Sequence, residues 1–184
     1  NAAYIAAELV TEFELASELG EQSGREIAAP PTALHAKDLK TGYNVTTPGH
    51  AWVYWNTLQH RRSPAEVMAI SLDLARRAMA RAARKLGCNI PVMTYAELAS
   101  RVAPEAISAR AAELATPSHL DLPERSKLLT AHVWSLSGLA GPAVVLGFGS
   151  IPYPAVRLGD SRLAATIQTA IQPFGLGTTS YFPG

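Results

Sequence analysis

The chain has one cysteine, Cys88, in 184 residues. A single thiol excludes an internal disulfide and a zinc site built from several cysteines. It also fits a reducing compartment, most simply the cytoplasm. Charge of one sign is missing as well: 16 Lys and Arg face 15 Asp and Glu, for a formal net charge of +1. No global field therefore pulls the chain toward nucleic acid or an anionic membrane. Long apolar runs are absent. The stretch from Ala143 to Gly149, bounded by Pro142 and Ser150, falls far short of the ~20 residues of a membrane-spanning helix. Glu8, Glu12 and Glu14 interrupt what would be the apolar centre of a secretory signal. There is no internal repeat and no low-complexity tract.

What is present is ordinary globular material. Apolar residues make up 48% and charged residues 17%, which argues against a disordered tail. The length suggests one domain, or one domain with part of another. The sequence opens on Asn1 with a helical pattern running at once, and it stops on Tyr181-Phe182-Pro183-Gly184. Both ends lead us to expect a segment of a longer protein.

Ile5, Leu9, Phe13 and Ala16 recur at helical spacing and predict a helix over Ala2 to Leu19. Gly24, Pro30 and Pro31 predict a loop over Glu21 to Pro31. Thr32 to Leu39 reads as a weak strand. Tyr43 to Thr47 and Ala51 to Leu58 read as two more, parted by Pro48-Gly49, which would make a long antiparallel hairpin or one long strand with a bulge near Pro48-Gly49. Ser63-Pro64-Ala65-Glu66 has the form of an N-cap, a proline at the first helical position and a capping box. The helix it starts should run to about Leu86 and stop at Gly87. Its expected stripe is Met68, Leu72, Ala75, Met79 and Ala82, broadened by Val67, Ile70 and Leu74. Ile90 to Thr94 reads as a short strand.

Charge suggests which helices meet. Residues 1–26 carry six glutamates against Arg25, a net −5, and residues 61–85 carry seven basic residues against Glu66 and Asp73, a net +5. Two such helices attract, although each exposed pair is worth only ~0–1 kcal/mol and the apolar stripes must supply most of the stability. We therefore expect an antiparallel sheet with both helices on one face over residues 1–95.

Residues 96–184 read differently. Short helices are expected over Tyr95 to Val102 and Pro104 to Leu114. Another, capped by Asp121, should run to about Leu136 with Leu128, Leu129, Val133 and Leu136 on one face. Ala143 to Gly147 reads as a buried strand. Ile151 to Pro154 reads as a loop. Asp160 to Ile171 reads as a helix with Leu163, Ile167 and Ala170 inward, and Thr178 to Phe182 as a last strand. This order suggests part of an α/β layer with a parallel sheet. The fold class is thus α+β, followed by an α/β segment.

Few groups of residues point to chemistry. None of the five histidines forms His-x-x-x-His. His119-Leu120-Asp121 matches a bare His-x-Asp metal pair, but Asp121 is better used as a helix cap. Gly147-Phe148-Gly149-Ser150 follows a strand as a phosphate loop would, yet it lacks Gly-Lys-Ser/Thr, and Pro152 and Pro154 intervene before any helix. The ridge of Arg76, Arg77, Arg81, Arg84 and Lys85 could hold phosphates, but a helix-paired or solvated face explains it better. Asn44-Val45-Thr46 is a glycosylation sequon in a chain without signs of secretion. Cys88 reads as a small buried residue. Trp52, Val53, Tyr54 and Trp55 make both faces of one strand apolar or amphipathic. One face then needs a partner, or the second half of the chain, to cover it.

Several segments together resemble one family. Asn1-Ala2-Ala3-Tyr4-Ile5-Ala6-Ala7-Glu8-Leu9, the run from Lys40 to Pro48 and Ser63-Pro64-Ala65-Glu66-Val67 resemble parts of the lid, or dimerisation, domain of M20-type metallopeptidases. They correspond to its first helix, its Asn-Val-x-Pro strand and the start of its second helix. Three stretches resemble the RocB-like branch, named for arginine utilisation. These are Pro31 to Leu34 with Asp38-Leu39-Lys40, then Gly147 to Pro154, then Tyr181 to Gly184. The resemblance spans nearly the whole chain.

It implies a ferredoxin-like lid over residues 1–95 and a partial catalytic-domain segment over residues 96–184 of a zinc-dependent peptidase or amidohydrolase. In such an enzyme the metal polarises the carbonyl and activates water. The implied partners are a small peptide or N-acyl substrate and a second subunit paired through the lid sheet, with neither nucleic acid nor membrane. Asn44 would contact a substrate carboxylate or carbonyl. The family's metal ligands would precede Asn1 or follow Gly184. Its lid arginine is missing at Asn56-Thr57-Leu58, where the nearest arginine is Arg61. The expected consequence is a chain that holds no zinc and does not catalyse alone. The alternative is a stand-alone α+β binding or regulatory module.

Overall fold

A computed structural model describes residues 1–23, 26–40, 42, 45–151 and 161–175. The protein is a mixed α+β structure with small sheets. Helix α1 spans Ala2–Phe13, and a 3₁₀ turn follows at Ser17–Leu19. Strands β1 (Glu21–Ser23) and β2 (Glu26–Ala28) pair antiparallel. Strands β3 (Ala33–Asp38) and β4 (Ala51–Trp55) also pair antiparallel, with His35 opposite Tyr54 and Lys37 opposite Trp52. Helix α2 (Pro64–Leu86) leads to β5 (Val92–Thr94). Helices α3 (Tyr95–Ala99), α4 (Pro104–Ala115) and α5 (Leu122–Leu136) come next. Strand β6 (Val144–Leu146) pairs with β5 in parallel, and helix α6 spans Arg162–Ile171.

The expected first helix is broken at Phe13. Glu14 turns extended and Leu15 takes φ 55°, a left-handed conformation that strains a branched side chain. Tertiary bonds hold the break open. The Glu14 carboxylate accepts from the Thr32 hydroxyl (2.6 Å) and the Ala33 backbone N–H (2.8 Å), while Leu15 N–H donates to the Pro31 carbonyl (2.9 Å). The expected loop from Glu21 to Pro31 contains the β1–β2 ladder instead. The hairpin also differs from expectation. The partner of β4 is β3, and Val45 to Thr47 lie outside any ladder. Tyr43 and Asn44 fall outside the described residues, as do Pro152 to Asp160 and the expected strand over Thr178 to Phe182.

Helix α2 matches its sequence signals. Ser63 Oγ accepts from Glu66 N–H (3.3 Å), and the Glu66 carboxylate accepts from Ser63 N–H (2.8 Å). The helix closes on Gly87 at φ 66°, where a side chain would be strained. Ser63→Ala should lower stability by about 1 kcal/mol, read as a shift in the urea midpoint with an unchanged slope. A cost near zero would mean that the cap is redundant with packing.

Helix α1 packs on α2 and on both strands of the β3–β4 hairpin, and α2 reaches β5 and β6. One core therefore runs through both halves of the chain. It joins Ile5, Leu9 and Phe13 of α1 to Leu74, Ala75, Ala78, Met79 and Ala82 of α2, with Ile90 and Val144. Val67 and Leu74 are buried more deeply than the expected Met68 and Leu72. Leu98, Leu114 and Val133 are buried on α3, α4 and α5, where α5 packs on the other two helices. Three expectations fail. The strands of residues 1–95 do not form one antiparallel sheet under both helices: β1–β2 and β3–β4 are separate pairs, β5 joins β6 in parallel, and α1 packs on the hairpin where α2 packs on β5 and β6. Leu163 (69% exposed), Ile167 and Ala170 face outward on α6, where Ala164 is the buried residue. Leu136 is also exposed. These faces have no apolar neighbour to cover them among the described residues.

Candidate functional site

All three tryptophans of the chain line one cleft of about 1370 Å³. Trp52 and Trp55 come from β4 and Trp134 from α5, and Tyr54 and Phe148 add to the aromatic wall. The lining comes from the hairpin with the segment from Asn56 to Arg62, from α5, β6 and the residues up to Ile151, and from α1 and α2.

The segment from Asn56 to Arg62 has no regular structure, yet it is pinned from behind. Asn56 N–H donates to the Thr32 carbonyl, and Asn56 Oδ1 accepts from Thr32 N–H (2.8 Å). Gln59 Nε2 donates to the Leu19 carbonyl (2.9 Å). Glu21 of β1 accepts from the backbone N–H of His60 (2.8 Å) and of Arg61 (3.1 Å). Arg62 donates to the Glu18 carbonyl (2.8 Å). Burial pushes the Glu21 carboxyl up, but the backbone donors of His60, Arg61 and Arg62 outweigh it and hold the group below the ordinary carboxylate range. The β1–β2 ladder thus anchors one rim of the cleft.

A smaller chamber of about 120 Å³ adjoins the cleft and shares Trp52, Thr130, Val145, Gly147 and Phe148 with it. Tyr95 lines it. The phenol oxygen is buried without a hydrogen bond among the described residues, and burial pushes its pKa up. A Cβ at Gly147 would lie 3.2 Å from Tyr95 Cβ, so the close approach of β6's end to α3 is eased by the small residue. In the cleft itself, Trp55 Nε1 and Gln59 Oε1 are likewise buried and unbonded among the described residues. The second half of the chain therefore meets the outer face of β4 only in part, and space remains beside Trp52.

The sequence candidates fare unequally. Asn44 lies outside the described residues. Asp121 Oδ1 accepts from Glu124 N–H (2.8 Å) and caps α5, as expected, while His119 is exposed. The segment from Gly147 to Ser150 forms cleft wall, where Ser126 Oγ donates to the Gly149 carbonyl. The arginine ridge is turned largely toward α1. Arg77 meets Glu12 and Glu18, Arg81 meets Glu8 and Glu12, and Lys85 sits 4.7 Å over the Tyr4 ring. Arg76 pairs with Asp73 on its own helix. Cys88 is exposed, not buried, because it follows the Gly87 stop and leaves the core side of α2. Sequence reasoning singled out Trp52 and Trp55 but missed Trp134 and the Asn56–Arg62 rim. Only the convergence of tryptophans far apart in the chain could have shown them, and that needs the fold.

Among the described residues no three His, Cys, Asp or Glu side chains come together, and no helix is long and apolar enough to cross a membrane. No protein-family model and no solved structure matches the chain. It is 28% identical over 212 aligned positions to an uncharacterized protein, YqjN, of Bacillus subtilis (strain 168). The alignment takes in all of this chain and 39% of that protein, so the chain spans about two fifths of the relative's length.

Proposed function

We propose that this chain is the lid and the adjoining part of the catalytic domain of an M20-like, RocB-like zinc hydrolase of peptide or N-acyl amide bonds. Residues 1–95 form the ferredoxin-like lid in this reading, and residues 96–184 the catalytic-domain segment. The observation that carries it is the packing order. Helix α1 lies on the β3–β4 hairpin and is clasped by the oppositely charged α2, and the chain then passes into the parallel pair β5–β6. That succession supports a lid followed by an α/β segment, with β5 at the junction already paired to β6. The ligands for zinc belong to sequence outside the described residues, and no step of hydrolysis is assigned to a residue of this chain. Its own work is to close over substrate, with Asn44 as a contact, and to pair with a second subunit through the lid sheet, in the cytoplasm.

The large cleft gives a second reading some support, that of a stand-alone α+β binding or regulatory module. One experiment separates the two. The 184-residue chain and a polypeptide carrying it with its flanking sequence are each loaded with zinc and assayed on N-acetyl amino acids and dipeptides. The hydrolase reading expects turnover in the longer protein and none in the chain alone. Turnover in neither, with both folded, leaves the binding module. Turnover by the chain alone would refute the placement of the metal ligands elsewhere.

A further inference from the structure

The wall of the large cleft lacks one kind of residue. Forty-four described residues line it and none is Asp or Glu, in a chain that has 15 of them. The charged side chains at its edge are Arg61, Arg62 and Lys127. Two of these are already engaged: Arg62 on the Glu18 carbonyl and Lys127 on Glu124 at 2.6 Å. Arg61 is exposed, and its guanidinium makes no hydrogen bond or ion pair among the described residues. Its backbone is meanwhile held by Glu21. Among the described residues the cleft thus combines indole rings with an exposed cation whose backbone is anchored, and no carboxylate lines it to repel an anion.

We propose that this cleft binds an amphipathic carboxylate, with its charge at Arg61 and its apolar or aromatic body against Trp52 and Trp134. A guanidinium matches a carboxylate with paired donors. Indole faces accept aryl or alkyl bodies and hold them at small entropic cost. The cleft is larger than the ~300–1,000 Å³ of ordinary small-molecule sites, so one such ligand fills part of it. The chamber beside Trp52 extends the apolar path, and its unbonded Tyr95 hydroxyl offers a donor to a carbonyl or hydroxyl on a longer ligand. The lining is the same whether the protein is a hydrolase or a binding module.

The three tryptophans supply the readout. The 184-residue chain is titrated at low salt with 4-phenylbutyrate and, in parallel, with 4-phenylbutylamine, which has a similar shape and the opposite charge. Saturable quenching by the carboxylate is expected, with affinity at least about tenfold above that for the amine, the worth of one charge-assisted contact. Raising the salt should narrow that gap, because Arg61 is exposed. Arg61→Gln should weaken the carboxylate about tenfold and leave the amine unchanged. Arg84→Gln, on the exposed end of α2, should leave both unchanged, and Trp134→Phe should weaken both ligands. Equal affinity for the two probes, no saturable quenching, or an unaltered Arg61→Gln variant would each overturn the proposal. Absent hydrolysis would sink the metal-hydrolase reading and leave this result standing, whereas lost charge preference would do the reverse.

Discussion

Phe13→Ala is expected to destabilise the fold by about 3–5 kcal/mol, the usual cost of removing a buried aromatic side chain. Phe13 is 4% exposed at the end of α1, and its ring stacks on Trp55 of β4 with centroids 4.7 Å apart and planes 27° apart. The ring therefore joins the helix to the hairpin that helps line the cleft. Its removal opens a cavity and forfeits a stacked pair worth ~0.5–1.5 kcal/mol beyond area burial. Urea unfolding followed by tryptophan emission measures both consequences, because Trp55 should also shift to the red in the folded variant. Leu15→Ala, two residues on and 67% exposed, should change stability by less than about 0.5 kcal/mol. A loss below about 1 kcal/mol in Phe13→Ala would show that α1 is not docked on the hairpin as described.

Acid should destabilise the protein through the seam between α1 and α2. Glu12 is pushed up by burial, but Arg77 and Arg81 outweigh that and hold it below the ordinary carboxylate range. Glu8 is lowered by the Tyr4 hydroxyl and then by Arg81. Glu18 is lowered by its own backbone N–H and then by Arg77. Each carboxylate is thus more acidic folded than unfolded. Its contribution is complete above the unfolded value near ~4.3 and disappears as the pH falls through the lower folded value. Melting temperature should accordingly be flat from pH 7 to about 5 and fall steeply below that. Glu12→Gln should cost stability at pH 7 and almost none at pH 3, which flattens the profile in part. The Glu12–Arg81 pair supplies about 0.5–1 kcal/mol of this, given a 37% exposed guanidinium open to screening. Glu14, Glu21, Glu66 and Glu97, also lowered, keep a residual slope. A Glu12→Gln profile parallel to the parent's would show that this seam does not carry the effect.

The seam was legible because it depends on net charge and on spacing along two helices. Glu8, Glu12 and Glu18 on one side and Arg77 and Arg81 on the other pair as the −5 and +5 blocks suggested. The cap at Ser63, the stop at Gly87 and the cap at Asp121 were legible for a similar reason, since each is a bond between residues three or four apart. The end of α1 was not. Ala16 continues the helical stripe and is buried as the stripe predicts, but it reaches the core from an extended residue just before the 3₁₀ turn. The cause lies at Thr32 and Ala33, eighteen and nineteen residues beyond the Glu14 they bind.

From sequence alone followed what local chemistry controls: the helices and their caps, the β4 strand, the complementary charge of α1 and α2, and the lack of any membrane-length apolar helix. Tertiary structure decided what depends on contacts between distant residues. It paired β4 with β3 instead of the segment after Lys40, joined β5 to β6 across fifty residues, and brought Trp52, Trp55 and Trp134 into one cleft that no carboxylate lines among the described residues. The reason is one of range. A hydrogen bond within a turn is specified by the few residues that make it, whereas strand pairing and the wall of a cleft are settled by which apolar surfaces exclude water together, and that is a property of the whole packed chain.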